Sequence, residues 1–212
     1  MFDAIAPRYD RLNRLLTLGL DTRWRRRAVA ALGLRPGSLV LDAACGTGDL
    51  CEELTRAALR PVGVDFSAGM LAAARTAAPL VRADAQVLPL PDGALDGAVC
   101  GFALRNLDDL PAFFAELARV LRAGGRAALL EVATPSNALV RAGHRFYFTR
   151  VVPAVGSLLS DGAAYRYLPA SVSYLPDPEE TAAMLRAAGF DAVTRTLLSG
   201  GVAQLVTATR RR

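Results

Sequence analysis

Short apolar runs alternate with longer amphipathic ones along most of the chain. Leu39-Val40-Leu41, Val62-Gly63-Val64-Asp65, Val81-Arg82-Ala83-Asp84, residues 96–102 and residues 126–132 are brief and almost wholly apolar. Strands buried on both faces of a sheet have that pattern. Between them the spacing predicts helices from Asp49 to Ala58, over 68–77 behind Ser67 as N-cap, and over 111–122, stopped by Ala123-Gly124-Gly125. The alternation predicts an α/β fold with a doubly wound, mostly parallel sheet and right-handed crossovers. Ligands of such sheets bind beyond the carboxyl ends of the strands, where strand order reverses. Asp42, Asp65, Asp84, Phe102 and Glu131 all fall at such ends.

The flanks read differently. Residues 1–35 look like a helical cap, with Leu12, Leu15, Leu16, Trp24, Val29 and Leu32 at helical spacing before Arg35-Pro36-Gly37 breaks the chain. Residues 36–133 hold the strand–helix core. Residues 134–175 lose the pattern and gather His144 and every tyrosine except Tyr9, which predicts a helical lid. A helix over 178–188 and strands over 192–198 and 202–209, joined by Ser199-Gly200-Gly201, predict a C-terminal helix and antiparallel hairpin. Seven strands in one domain are thus expected, and 212 residues suit that size.

Composition narrows the class. With 52% hydrophobic and 21% charged residues, global disorder is excluded. No apolar run approaches the roughly 20 residues of a membrane span, and the start has an early acid and no apolar core of a signal peptide. The net charge of +5 is carried by arginine alone, with no lysine. That skew fits a GC-rich genome, so a single exposed arginine is a weak functional signal. Three cysteines with no metal-like spacing suit a reduced, cytoplasmic protein without a metal site.

The chemistry starts at Asp42-Ala-Ala-Cys-Gly46-Thr47-Gly48, a glycine loop between a strand and a helix. Glycines let a ligand come close to the backbone, and the helix start offers free amides and a partial positive charge. Asp65 closes the next strand, where a carboxylate accepts hydrogen bonds from the two hydroxyls of a ribose. A nicotinamide dinucleotide and S-adenosylmethionine both match this outline. The dinucleotide fingerprint needs a third glycine where Cys51 stands, and Asp42 suits an ammonium group better than a pyrophosphate, so S-adenosylmethionine is the expected cofactor. Asp84 and Ala85 would face its adenine. A tight turn with a structural aspartate is the alternative. Enzymes that methylate exocyclic amino groups of nucleic acids carry an Asn/Asp-Pro-Pro-aromatic tetrad after the fourth strand. Gly101-Phe102-Ala103-Leu104-Arg105-Asn106-Leu107 stands there instead, so no nucleic-acid partner is expected.

Several motifs then carry a resemblance along nearly the whole chain. They include Phe2-Asp3-x-Ile5-Ala6-x-Arg8-Tyr9-Asp10, Trp24-Arg25, Leu41-Asp42-x-Ala44-x-Gly46-Thr47-Gly48-Asp49-Leu50 and Phe66-Ser67-x-x-Met70-Leu71. Further along come Phe102-x-Leu104-Arg105-Asn106, Arg119-Val120-Leu121-x-x-Gly124-Gly125-Arg126, Tyr165-x-Tyr167-Leu168-x-x-Ser171 and Gly200-Gly201. On these the chain resembles the menaquinone/ubiquinone biosynthesis C-methyltransferase family, with its Rossmann-like fold. The resemblance implies methylation of a ring carbon of a polyprenyl quinol such as demethylmenaquinol. It places Tyr9, Phe66 and Gly101 with the loop residues at the cofactor, Arg105 and Asn106 in catalysis, and Tyr165 and Tyr167 at the substrate. Asn106 would orient a ring hydroxyl and Arg105 stabilise its ionised form; a structural ion pair of Arg105 with Asp108 or Asp109 is the alternative. After Gly200-Gly201 the family has a histidine that Val202-Ala203-Gln204-Leu205-Val206 lacks, which keeps another lipophilic phenol, or a secondary metabolite, open as acceptor. A noncatalytic nucleoside-binding protein is the alternative of another class. Trp24 with Arg25-Arg26-Arg27 reads either as a peripheral contact with the inner face of a membrane or as a solvated helix face. Homo-oligomerisation is left open.

Overall fold

A computed structural model of the chain describes residues 13–14, 17–147, 150 and 175–212. The elements run α1 (Leu20–Leu32), β1 (Leu39–Ala43), α2 (Asp49–Arg56), β2 (Arg60–Asp65), α3 (Ala68–Ala72), β3 (Leu80–Arg82) and β4 (Leu95–Gly101). After a 3₁₀ turn at Leu104–Asn106 come α4 (Leu110–Val120), β5 (Leu121–Val132), α5 (Ala138–Phe146), α6 (Pro178–Ala187), β6 (Phe190–Leu198) and β7 (Ala203–Arg210). The seven strands form one sheet in the order β3-β2-β1-β4-β5-β7-β6. β1 to β5 are parallel, whereas β7 is antiparallel to β5 and to β6. Strand order reverses between β1 and β4, and the crevice of such a sheet lies there.

Period-two side-chain alternation explains why the strands are apolar throughout. Val40, Val99, Ala128, Leu130 and Leu205 join Trp24, Val29, Leu32, Leu50 and Leu54 of α1 and α2 on one face. Leu41, Ala98, Cys100, Leu129 and Val206 join Phe113, Phe114 and Leu117 of α4 and Leu185 of α6 on the other. Helix ends follow local chemistry. Asp109 accepts the Ala112 amide at the start of α4, and Asp177 accepts the Glu179 and Glu180 amides at the start of α6. Each such cap is worth about 1 kcal/mol.

Several boundaries differ from the sequence expectation. The helix expected over 68–77 ends at Ala72. Beyond it the Arg75 amide donates to the Thr47 carbonyl at 3.1 Å, drawing the chain onto the glycine loop. The third strand is Leu80–Arg82, so Asp84 lies past its end in a turn that its own side chain closes on the Gln86 amide. The helix expected over 111–122 ends at Val120, and the expected stop at Ala123-Gly124-Gly125 is instead a kink in a strand that starts at Leu121. There Gly124 takes a φ of 77° and the pairing with β4 slips. Tyr9, Tyr165 and Tyr167 lie outside the described residues, as does most of the segment expected to be a lid.

Candidate active site

The loop after β1 turns on a run of left-handed residues: Ala44 (φ 55°), Gly46 (φ 56°) and Gly48 (φ 88°). For Ala44 this conformation is strained, and such strain collects at functional sites. A Cβ on Gly46 would meet no described atom within 4 Å, so that side of the loop is open. A Cβ on Gly48 would sit 2.6 Å from Thr76 Cγ2, so the loop packs closely there and only glycine fits.

Two carboxylates flank the loop. Asp42 is buried, and its Oδ2 accepts the Cys51 amide at 3.1 Å and the Cys51 thiol at 3.3 Å. Its Oδ1 is buried with no hydrogen-bond partner among the described residues. Burial pushes the Asp42 carboxyl up to about 7; the Cys51 bonds and the nearby Arg25 charge pull the other way, and Asp65 adds to the rise. An unpartnered buried oxygen is costly. It fits a cationic ligand group such as an ammonium, which would relieve that cost. Asp65 accepts the Gly46 amide at 2.7 Å on Oδ2 and the Ser67 amide at 2.8 Å on Oδ1. These bonds fix its plane and leave each oxygen a second lone pair. Phe66 beside it is 70% exposed, a free aromatic face at the rim, and Ala85 is buried nearby in sequence to Asp84. The donor set therefore fits the amino-acid and sugar ends of S-adenosylmethionine.

The tip of β4 is built differently. Gly101 pairs with Leu130 of β5, and a Cβ there would press on Leu50 Cδ1 at 2.7 Å. Phe102 takes a left-handed φ of 60° while its amide donates to the Leu130 carbonyl at 2.7 Å. In the 3₁₀ turn that follows, the Asn106 amide bonds the Ala103 carbonyl. Arg105 turns inward: its guanidinium pairs with the buried Glu131 at the end of β5. Asp108 and Asp109, the partners in the alternative reading, do not hold it among the described residues; Asp109 caps α4 instead.

Trp24 and Arg25 were read as a surface patch, and the structure corrects this. Trp24 is 6% and Arg25 7% exposed. The Trp24 indole donates to Ser199 Oγ at 2.9 Å and its ring lies 6.2 Å from that of Phe102. Arg25 pairs with Asp21 and with Asp49 and stacks 5.5 Å from the Phe102 ring centre. Only Arg26 and Arg27 of the run face outward. The place of Arg25 next to the lone tryptophan is the sequence signal that sets it apart from the other arginines. Glu131 was visible only as an acid ending an apolar strand. The glycine loop, Asp42, Asp65 and the β4 tip do meet at one end of the sheet: Asp42 pairs with Gly63 and Val99, and Asp65 follows Val64 at the same edge.

A Rossmann-like sheet with an antiparallel β7, a glycine loop at the switch point and an acid ending β2 defines a nucleoside-dependent methyltransferase fold. Solved structures share it: a SAM-dependent methyltransferase from Aquifex aeolicus superposes with a TM-score of 0.62 at 17% identity, covering 87% of this chain and 88% of that one. Phosphoethanolamine N-methyltransferase 2 of Haemonchus contortus, in complex with S-adenosyl-L-methionine, gives 0.65 at 13% identity, with 89% and 52% covered. The chain belongs to the ubiE/COQ5 methyltransferase family, whose sequence model matches residues 1–210. It is 46% identical to the demethylmenaquinone methyltransferase of Thermus thermophilus, with 97% of each chain covered. It is 41% identical to the ubiquinone/menaquinone biosynthesis C-methyltransferase UbiE of Geobacter sulfurreducens, covering 98% of this chain and 86% of that one. It is therefore an S-adenosylmethionine-dependent methyltransferase.

Proposed function

We propose that this enzyme methylates a ring carbon of a polyprenyl quinol of the demethylmenaquinol type. The observation that carries the reading is the buried Arg105 guanidinium, held on Glu131 at the β4 tip, beside the strand whose loop forms the donor site. The 46% identity to a demethylmenaquinone methyltransferase, over 97% of each chain, supports this acceptor class.

The cofactor supplies an electrophilic methyl group on a sulfonium. Asp42 would hold the amino group of the methionine end through its Oδ1, and Gly46, Thr47 and Gly48 would line that end with backbone. Asp65 would hold the ribose hydroxyls, and Phe66, Asp84 and Ala85 would border the adenine. Gly101, packed against Leu50, would border the reacting end. Ring carbons of a quinol become nucleophilic when a neighbouring hydroxyl ionises. Arg105 stabilises that developing phenolate and Asn106 orients the hydroxyl. Arginine keeps its proton at all working pH values, so it acts by charge and the hydroxyl proton leaves to water. The ring carbon takes the methyl group as the C–S bond breaks and S-adenosylhomocysteine departs. Loss of that carbon's own C–H proton to water restores the aromatic ring.

A polyprenyl acceptor places the work at a membrane surface, reached from the cytoplasmic side. Among the described residues no helix is long and apolar enough to cross a membrane. The buried Trp24 and Arg25 are not available for such a contact. The test is incubation with S-adenosylmethionine and reduced demethylmenaquinone, followed by mass spectrometry. A gain of one methylene mass on a ring carbon is expected; methyl on oxygen, or no product from protein that binds the donor, would overturn the reading.

A further inference from the structure

We propose that Glu131 is a positioning residue for methyl transfer: it clamps Arg105 at two points, so that the guanidinium meets the acceptor in one fixed orientation. The proposal rests on the reading of Arg105 given above and deepens it.

Glu131 ends an otherwise apolar strand and is 1% exposed. A carboxylate so placed is costly unless its oxygens are engaged. Here both are. Oε1 accepts from the Arg105 guanidinium and from the Val132 amide at 2.8 Å, and Oε2 accepts the Arg105 backbone amide at 3.4 Å. One side chain therefore holds both the backbone and the tip of the same arginine, from a different strand, 26 positions away. The Val132 bond in turn fixes the carboxylate. A guanidinium has five N–H donors in a planar fork, and engagement through one nitrogen leaves donors for a second, incoming anion.

Among the described residues, Arg105 is the charged group that faces this carboxyl. Gln204 of β7 and Thr181 of α6, which share a narrow slot with it, are neutral. From β4, burial and the carboxylates around it, Glu131 among them, push the Cys100 thiol well up, so it too is uncharged. Burial raises the Glu131 carboxyl above its ordinary value even though Arg105 opposes the rise. As pH falls, the carboxylate therefore gains its proton above the ordinary carboxylate range. The charge that orients Arg105 is then lost.

Glu131→Gln keeps the shape and removes the charge. Turnover with reduced demethylmenaquinone is measured across the acid and neutral range at saturating S-adenosylmethionine, so that the Asp42 titration stays out of the profile, beside calorimetric affinity for S-adenosylhomocysteine. A misplaced catalytic group costs on the order of 100-fold, so kcat should fall by about that factor while donor-site affinity stays within about twofold. The acid limb of the wild-type profile should vanish in the variant. Formate, refilling the space left in Glu131→Ala, should restore part of the turnover. Turnover within about threefold of wild type would overturn the proposal, since orientation is worth far more than that; so would joint loss of turnover and donor affinity without formate rescue. If Glu131→Gln does not fold, the wild-type profile decides: an acid limb confined to the ordinary carboxylate range overturns it. Wild-type inactivity on this quinol would instead overturn the proposed function. Glu131 is then read from the ¹⁵N guanidinium resonance of Arg105, whose slow exchange should disappear in Glu131→Gln and whose persistence there would overturn the clamp.

Discussion

The tips of β1 and β4 are neighbours in the sheet but are made in opposite ways. At β1 the site is contiguous chain: a strand, three left-handed residues within five positions, and a helix whose amide at Cys51 reaches back to Asp42. At β4 the site is assembled across the sheet, with Arg105 oriented by a carboxylate from β5 and Phe102 walled by Trp24 and Arg25 from α1. Backbone geometry carries the first, buried side-chain pairing the second. A donor common to many methyltransferases suits a local, backbone-built grip. An acceptor that differs between families suits side chains delivered from several elements, because these change without altering the donor loop.

The largest expected effect on the donor side is at Asp42. Its carboxyl titrates near 7 in the free protein, and a bound ammonium favours the charged form. Donor affinity should therefore fall as pH drops below about 7, approaching tenfold per unit, the slope of one linked proton. Asp42→Asn should bind weakly at all pH values and lose that slope, as read by calorimetry. The linkage to folding has the opposite sign. The raised carboxyl makes the unliganded fold less stable as pH rises from about 4 to about 7, and Asp42→Asn should flatten that trend as well.

A smaller effect is expected from Gly48→Ala. At a φ of 88°, and with a Cβ 2.6 Å from Thr76 Cγ2, the substitution should cost about 2 kcal/mol by urea unfolding, within the range for strained backbone. Trp24→Phe is smaller again. It keeps an aromatic ring tilted against Phe102 and removes the bond to Ser199, so a loss of about 1 kcal/mol is expected. Kinetically it should touch acceptor turnover before donor affinity, because Trp24 walls the β4 tip; an equal effect on both would blur the division between the two tips.

The same division decides what could be read from the sequence. The glycine loop, Asp42, Asp65 and the alternation of strands are local patterns, and the sheet and its C-terminal hairpin follow from them. The end of α3 was not legible, because the bond from Arg75 to Thr47 overrides helix propensity after Ala72. Nor was the start of β5, where Gly124 kinks a strand instead of ending a helix. The Arg105–Glu131 pair joins residues far apart in the chain, and nearby Asp108 and Asp109 were the natural but wrong candidates. Trp24 and Arg25 lie in a run of arginines whose burial only the packing of α1 on β5 and β7 decides.

The separation of donor grip from acceptor chemistry is tested most directly by one paired measurement: S-adenosylhomocysteine affinity and single-turnover methylation of reduced demethylmenaquinone, on Asp65→Ala and Arg105→Ala. Asp65→Ala should weaken the nucleoside and retain transfer at saturating donor. Arg105→Ala should bind the nucleoside as wild type does, within about twofold, and lose on the order of 100-fold or more in transfer. Loss of nucleoside affinity in Arg105→Ala, or full transfer by it, would contradict that separation.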